Sequence, residues 1–548
     1  MSIVYNGSKL LVDCLIKQGV KRIFGIPGAK IDAVFDALLD SPIQFVLCRH
    51  EQNAAFMAAA YGRLTGEPGV VLVTSGPGIS NLATGLLTAT TEGDPIIAIG
   101  ANVSQNTKYM SAHQGANNIK LMAGVTKAQM EVPTVESIPE ILELSFRIAK
   151  TPRSGAVFIS LPQNISLEPT NAKVFSYPSS VLLGPANIKL IEETAKIINE
   201  AKKPLLLVGQ ESSRLLNSMA IRSLVEKTSI PVICTYQATG VVSKNLVSYF
   251  GGRVGLFKNQ PGDLLINESD LIITVGFNSV EYEPEAWNDK NNCKIIHIDY
   301  NLAEVREKYS PIVELIGDIA ETITTLIPLL KKHNCTYYES AHHQLIEIIE
   351  QGKQYNNTPI HPLRFIYELQ QVVDENAIIS VDIGSVYMWM ARYFLSFQPH
   401  HLLFSNGQQT LGVALPWAIS AKLIYPQKTI ISVSGDGGFL FSSMELETAV
   451  REKLHIIHFV WVDGSYDMVK EQQLMKYNRE SAVQFGAVDL VKYAESFGAK
   501  GYKIATAEQL VPIMKEALSA DGPVLVEIPI DYKHNPELFK TVIDSIHN

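Results

Sequence analysis

Residues 429–469 read TIISVSGDGGFLFSSMELETAVREKLHIIHFVWVDGSYDMV. The alternation in this stretch decides the fold. Residues 429–434 are β-branched and apolar, as a strand buried on both faces should be. They end in Gly435-Asp436-Gly437-Gly438. A helix is predicted over 442–453, with Ser442 or Ser443 as N-cap and Glu445 and Glu447 in its first turns. A second apolar strand over 455–462 ends in Asp463-Gly464-Ser465. In a right-handed βαβ unit both loops emerge at the carboxyl edge of one parallel sheet. Asp436 and Asp463 are then neighbours, although 463 − 436 = 27 positions separate them. Two carboxylates, glycine-rich backbone and a helix N-terminus suit a hard cation carrying a phosphate, with Mg²⁺ the usual ion. A GDG tripeptide by itself reads as a solvated turn, because short motifs often match by chance. The second Asp, in the matching loop of the same unit, is what favours the cation.

This pattern resembles the cofactor motif of the thiamine diphosphate (ThDP)-dependent enzymes. In SGDGGFLFSSMELETAV (434–450) and YDMV (466–469) it resembles the catabolic acetolactate synthases in particular. The resemblance implies that Mg²⁺ is held by Asp436, Asp463 and the main-chain carbonyl of Ser465. It also implies that Gly435, Gly437, Gly438, Tyr466, Met468 and Val469 line the cofactor. The common form of the motif has Asn at the second position; Asp463 departs from it but keeps an oxygen ligand.

Length and composition agree with a large α/β enzyme. The 548 residues suggest three or four domains at roughly 150 residues each. A net charge of −9 gives no electrostatic reason to bind nucleic acid or an anionic membrane. The five cysteines are scattered, odd in number and without a CxxC. That favours reduced thiols in a cytoplasmic protein over a disulfide framework or a zinc site. The first twenty residues carry charges inside an apolar pattern and are expected to form a helix rather than a signal peptide. No apolar run approaches the ~20 residues of a membrane helix.

Strand patterns alternate with helical ones throughout, so the expected fold class is α/β, with three doubly wound parallel-sheet domains. They are placed at 1–165, 186–330 and 360–535, and by resemblance they are pyrimidine-binding, central Rossmann-like and diphosphate-binding. Residues 165–185 read as a Pro/Ser-rich linker and 333–359 as a polar connector with one amphipathic helix. His342 and His343 fall on different faces of that helix and are not expected to bind metal.

In the first domain, strands are predicted at 22–26, 45–48, 69–74 and 95–100. Glu51 lies between a strand and the Ala-rich helix 53–64. Taken alone, it is a carboxylate facing a helix dipole. RHEQNAAFMAAAYGRLTG (49–66) resembles the family's catalytic glutamate segment. That resemblance implies a hydrogen bond from Glu51 to N1′ of the aminopyrimidine, with an apolar setting that keeps a shared proton available. GIPGAKID (25–32) and TSGPGISN (74–81) match the same family. Pro27, Gly28, Thr74, Gly78 and Asn81 are therefore expected along the pyrimidine, where small residues permit close approach. The alternative is that they only shape turns. Lys30 resembles a lysine of the catabolic synthases suited to a pyruvate carboxylate, and Gln114 a glutamine facing the reacting carbons. An exposed lysine and a loop glutamine are the alternatives.

The central segment carries no GxGxxG after its first strand. GFNSVEY (276–282) stands where flavin-containing relatives carry RFDDR, so no FAD is expected. In the third domain the resemblance places Gly384 and Ser385 on the diphosphate. It gives the carbonyl of Gln409 to the 4′-amino group and makes Leu411 the prop of a bent cofactor; plain core is the alternative for Leu411. Gln472 occupies a position where catabolic synthases carry Gln and biosynthetic ones Trp, which implies pyruvate as both donor and acceptor. The implied reaction is condensation of two pyruvate molecules to 2-acetolactate with release of CO₂. In this superfamily the glutamate and the diphosphate site come from different subunits. A homodimer is thus the smallest active unit expected, and a homotetramer the expected assembly. The rival readings are a flavin-dependent pyruvate oxidase, a biosynthetic synthase with a regulatory subunit, and a non-catalytic scaffold. Joint retention of Glu51, Asp436 and Asp463 speaks against the scaffold.

Overall fold

A computed structural model describes residues 5–108, 110–175, 183–290 and 293–539. Its strands form three six-stranded sheets, and every pairing in them is parallel. The first contains β1 (Arg22–Ile26), β2 (Gln44–Leu47), β3 (Gly69–Val73), β4 (Ile96–Asn102), β5 (Ala128–Glu131) and β6 (Ala156–Pro162), in the order β2-β1-β3-β4-β6-β5. The second contains β7 (Pro204–Val208), β8 (Val232–Thr235), β9 (Phe250–Val254), β10 (Leu271–Val275), β11 (Lys294–Asp299) and β12 (Val313–Ile316), in the order β12-β11-β10-β7-β8-β9. The third contains β13 (Ile378–Val381), β14 (Leu402–Leu403), β15 (Ile430–Gly435), β16 (Ile457–Val462), β17 (Lys500–Lys503) and β18 (Val524–Pro529), in the order β14-β13-β15-β16-β18-β17. Counted within each domain, the first and third sheets share one strand order. The second has the order of a dinucleotide-binding fold, with its switch point between β7 and β10.

Apolar runs in the central strands account for this. β3, β4, β6, β7 and β10 are buried at every residue, as strands covered by helices on both faces must be. Each fully buried Val, Leu or Ile contributes roughly 1.5–3 kcal/mol. β5 (AQME) and β17 (KGYK) lie at sheet edges, are half-buried or exposed, and carry no apolar run. They are not legible from periodicity.

Packing divides the chain into two compact units. One comprises Met1–Ser180, Gly407–Pro426 and Ser442–Leu454; the other comprises Val181–Asn406, Gln427–Phe441 and His455–Asn548. In the first, the Ala-rich helix Glu51–Thr65 buries nearly its whole length. A Cβ on Gly85 would fall 2.4 Å from the Cβ of Ala55, so small residues let the helix Ala83–Glu92 approach it backbone to backbone. The helix Ala414–Ile424 packs on the same element, with the Arg63 guanidinium 4.5 Å from the Trp417 ring centroid and 2.8 Å from Asp94.

Two expectations need correction. The helix predicted over 442–453 is shorter, Glu445–Arg451, and a separate short helix, Asp436–Phe439, stands where a loop was expected; Ser442 and Ser443 are buried, and neither caps. The chain coils at once on leaving β15, and the second helix begins only where Glu445 finds buried donors. The linker over 165–185 is in part ordered onto the first domain. Leu167 ends a short helix, Gln163–Leu167, Pro169 bridges Asn6, and Ala172 and Val174 pack on the first core. Residues 176–182 lie outside the described residues.

Candidate active site

In the second unit, β15 and β16 are adjacent, and their carboxyl ends bring the two predicted loops together. The Asp436 carboxylate is buried and accepts from Gly437 N at 3.0 Å and from Gly464 N at 2.9 Å. It is therefore clamped against the loop that carries Asp463. Asp463 in turn accepts from the Ser465 hydroxyl. That loop is held by Tyr466 N on Val483 O (2.9 Å) and Phe485 N on Gly464 O (3.1 Å). Burial pushes the Asp463 carboxyl up to about 7; Asp436 and Asp467 add to this and the Ser465 hydroxyl opposes it. Burial likewise raises Asp436 against the pull of its amide donors. Two shielded carboxylates that resist ionising together are the donor set a divalent cation relieves. Among the described residues no group of three or more His, Cys, Asp or Glu could hold a metal, so a cation here rests on this pair and backbone oxygen. A cleft of about 780 Å³ runs from Asp436 and Gly464 to residues 485–492.

Gly384, at φ 122°, leads into the helix Ser385–Tyr393, and a Cβ added to it or to Gly435 or Gly464 would meet nothing within 4 Å. The backbone at these turns is open, as phosphate oxygens at a helix N-terminus require. A Cβ on Gly437 would come within 2.7 Å of the Tyr466 ring, and one on Gly438 within 3.1 Å of Asp382. Met468, Val469 and Gln472 lie on the helix Asp467–Tyr477, with Met468 and Gln472 four residues apart on one flank. Sequence reasoning missed what holds this floor. Buried Asp467 accepts from Ser385 Oγ at 2.5 Å and from Asn535 Nδ2, and Lys470 Nζ lies 3.4 Å from its other oxygen. Asn535 accepts in turn from Trp389 Nε1 at 2.7 Å. The Asp of the YDMV motif is the signal available in sequence; Asn535, 68 positions on, has none.

In the first unit, Glu51 opens its helix as the first residue, rather than preceding it, and is 9% exposed. Its Oε2 accepts from Asn81 Nδ2 at 3.0 Å. A Cβ on Gly78 would lie 3.6 Å from Glu51 Oε1 and 3.1 Å from the Thr74 methyl, and one on Gly28 2.5 Å from Thr74 Oγ1. Glu51, Asn81, Gly78, Thr74 and Gly28 thus form one cluster. Thr74 Oγ1 is buried with no protein hydrogen-bond partner, an orphan that a polar ring would satisfy. Pro27 is exposed at the rim. Lys30 Nζ reaches Gln163 Oε1 at 3.3 Å, and Gln114 accepts from Ser75 Oγ at 3.1 Å. The loop after Asn406 is tied to the helix Ala83–Glu92 by Gly407 N on Glu92 (2.8 Å) and by the Thr88 and Thr410 hydroxyls (2.8 Å). Leu411 on that loop is half-buried rather than core. Gln114 (φ 62°) and Gln409 (φ 49°) both adopt left-handed backbone, which non-glycine residues seldom do outside functional loops.

The central sheet holds a third feature. At its switch point, the buried Glu281 carboxylate accepts from Gln210 N (2.9 Å), Asn278 N (2.9 Å) and Thr235 Oγ1 (2.5 Å). A dinucleotide-binding domain puts phosphate at such a position. The five cysteines are free; four are buried and one is half-buried. No helix among the described residues is long and apolar enough to cross a membrane.

The parallel sheets, the paired carboxylate loops and the buried helix-leading glutamate define a cofactor-dependent α/β enzyme. The chain belongs to the thiamine pyrophosphate enzyme family: the N-terminal TPP binding, central and C-terminal TPP binding domain models match residues 5–123, 191–326 and 382–528. It is 48% identical to "Acetolactate synthase" of Bacillus subtilis (strain 168), over 98% of this chain and 95% of that protein. It is 44% identical to "Acetolactate synthase, catabolic" of Raoultella terrigena, over 97% and 96%. Identity to "Acetolactate synthase isozyme 2 large subunit" of Escherichia coli (strain K12) is 30%, over 97% and 96%.

Proposed function

We propose that this enzyme condenses two molecules of pyruvate to 2-acetolactate with release of CO₂, using ThDP and Mg²⁺. The observation that carries the reading is likeness over nearly the full length to acetolactate synthases, a catabolic one among them. ThDP, when bound, supplies a thiazolium carbon that acts as nucleophile and electron sink for 2-keto acid decarboxylation. Glu51, oriented by Asn81, holds and returns a proton at the pyrimidine nitrogen. Gly28, Thr74 and Gly78 give that ring its close approach. Asp436, Asp463 and the Ser465 carbonyl hold Mg²⁺, and Gly384, Ser385 and Gly435–Gly438 carry the diphosphate. Gln409 and Leu411 orient and prop the cofactor. Lys30 attracts the pyruvate carboxylate, and Gln114, Gln472, Met468 and Val469 face the reacting carbons.

FAD is not required in this reading. Its support is Glu281, an anion of the chain's own, seated among the donors at the central switch point. The domain limits proposed are 1–165, 186–330 and 360–535, with Ala172 and Val174 of the following segment laid on the first domain. A homodimer is the minimal active unit and a homotetramer the expected assembly. A cytoplasmic location fits the five free thiols.

The test is pyruvate turnover by the purified protein with ThDP and Mg²⁺ but no flavin, acceptor dye or second subunit. Acetolactate from the native protein and its loss in Glu51→Gln are expected. Acetaldehyde as product would replace the reading with a decarboxylase, and dependence on added FAD would refute the flavin-free assignment.

A further inference from the structure

One carboxylate of the first unit that takes four hydrogen bonds has no part in the proposed chemistry. Glu445 opens the helix Glu445–Arg451 and is 0% exposed. Its Oε1 accepts from Arg49 N at 2.9 Å, His50 N at 3.1 Å and Asn53 Nδ2 at 3.1 Å. Its Oε2 accepts from Thr448 Oγ1 at 2.6 Å. Arg49 and His50 are the two residues before Glu51, and Asn53 lies two beyond it. His50 is the N-cap: its Nδ1 accepts from Gln52 N at 3.1 Å, which leaves its own amide and that of Arg49 to be satisfied from outside the helix. Shielded amides without a partner are costly, and here one oxygen, 396 and 395 positions along the chain from them, serves both. Arg451, on the same helix as Glu445, donates to Leu47 O at the end of β2. Both ends of the turn from β2 into the Glu51 helix are thus fastened by one short helix.

We propose that Glu445 is a positioning residue for Glu51, fixing the first turn of its helix so that the carboxylate meets the pyrimidine in one orientation. The proposal rests on the reading of Glu51 as the residue that handles the proton. A misplacement of about 1 Å at a reacting group costs on the order of 100-fold in rate. Substrate binding, which Glu445 does not touch, is left alone.

The test joins hydrogen exchange on the cofactor-free protein with steady-state kinetics normalised to bound cofactor. In Glu445→Ala, exchange over residues 47–53 is expected to speed up by about tenfold. kcat is expected to fall by roughly 10- to 100-fold, with KM for pyruvate within about twofold of native. Glu445→Gln keeps an acceptor in the same place and is expected to recover most of kcat. Thr448→Val frees one end of the carboxylate and should give the same pattern more weakly, which covers the case in which Glu445→Ala does not fold. Native exchange over 47–53 in Thr448→Val, native kcat in a folded Glu445→Ala, or a Gln variant as impaired as Ala would each overturn the proposal. Full activity in Glu51→Gln would instead remove the role of Glu51, and the exchange result would stand apart from it.

Discussion

Replacing Asp467 tests the polar network beneath the proposed diphosphate site. Its carboxylate is 5% exposed and joins three elements: the helix start at Ser385, Asn535 near the C-terminus, and Lys470 on its own helix. Asp467→Ala removes two hydrogen bonds to an ionised acceptor, each contributing about 1.5–3 kcal/mol. It also leaves the Ser385 hydroxyl proton without its acceptor, while Asn535 keeps its 3.0 Å bond to Ser385 Oγ. Lys470 retains 22% of its side-chain exposure and can turn to water, so no full penalty for an unpaired buried charge is added. The expected destabilisation is about 3–6 kcal/mol. Asp467→Asn keeps one acceptor oxygen and should cost about 1–2 kcal/mol. Trp389 donates to Asn535 at 2.7 Å, so its fluorescence reports on the network directly. The assay is urea unfolding followed by tryptophan emission, together with ThDP titration in the presence of Mg²⁺. Affinity should fall in the order native, Asn, Ala, because Ser385 loses its anchor. An Ala variant with native stability and native ThDP affinity would refute the reasoning, as would an Asn variant that is the worse of the two.

Two further outcomes follow from single residues. Burial, with His534 nearby, lowers His361 to about 4, and its Nδ1 accepts from Leu363 N at 3.1 Å at a helix start. Its folded value lies below the ordinary 6.5, so the unfolded chain takes up the proton first as pH falls. Stability from this group is full above pH 6.5 and is lost between about 6.5 and 4. His361→Asn, which can still cap, should flatten the midpoint–pH curve in that window, and a curve parallel to native would count against the assignment. Gly437→Ala forces the Tyr466 ring aside from a 2.7 Å contact. Because that ring is 37% exposed and can swing, stability should drop by only about 1 kcal/mol. ThDP affinity measured by calorimetry should weaken clearly; unchanged affinity would show that Tyr466 does not line the cofactor.

Much of this could be read before any coordinates. The apolar runs ending in GDGG and DGS predicted β15 and β16 to within two residues, because doubly buried strands must be continuously apolar. The convergence of Asp436 and Asp463 followed from the handedness of one βαβ unit. Glu51, Asn81, Gly78 and Thr74 come from two motifs whose loops leave neighbouring parts of one sheet, and the structure gathers them. The two strands and the pairing of their Asp loops are local patterns joined by one chirality rule; the cluster around Glu51 was expected from its resemblance to a known family.

Other features had no local trace. Glu445 and Glu447 stand two apart in one helix and look alike as first-turn acids, yet one is fully buried on the amides before Glu51 and the other pairs with Arg451. Asp467 reads as an ordinary helix N-terminal acid until Asn535 and Ser385 close on it. Glu281 sits in an unremarkable NSVEY and becomes the anion of the central crevice only when β7, β8 and β10 are aligned. The sequence by itself determined the three α/β repeats and the meeting of the two Asp loops, because periodicity and turn chemistry act over a few residues, whereas the reading of Glu51 came from resemblance to a known family. Only the tertiary structure decided which buried polar groups pair, because a donor's partner is chosen by burial across hundreds of positions, where no periodicity reaches.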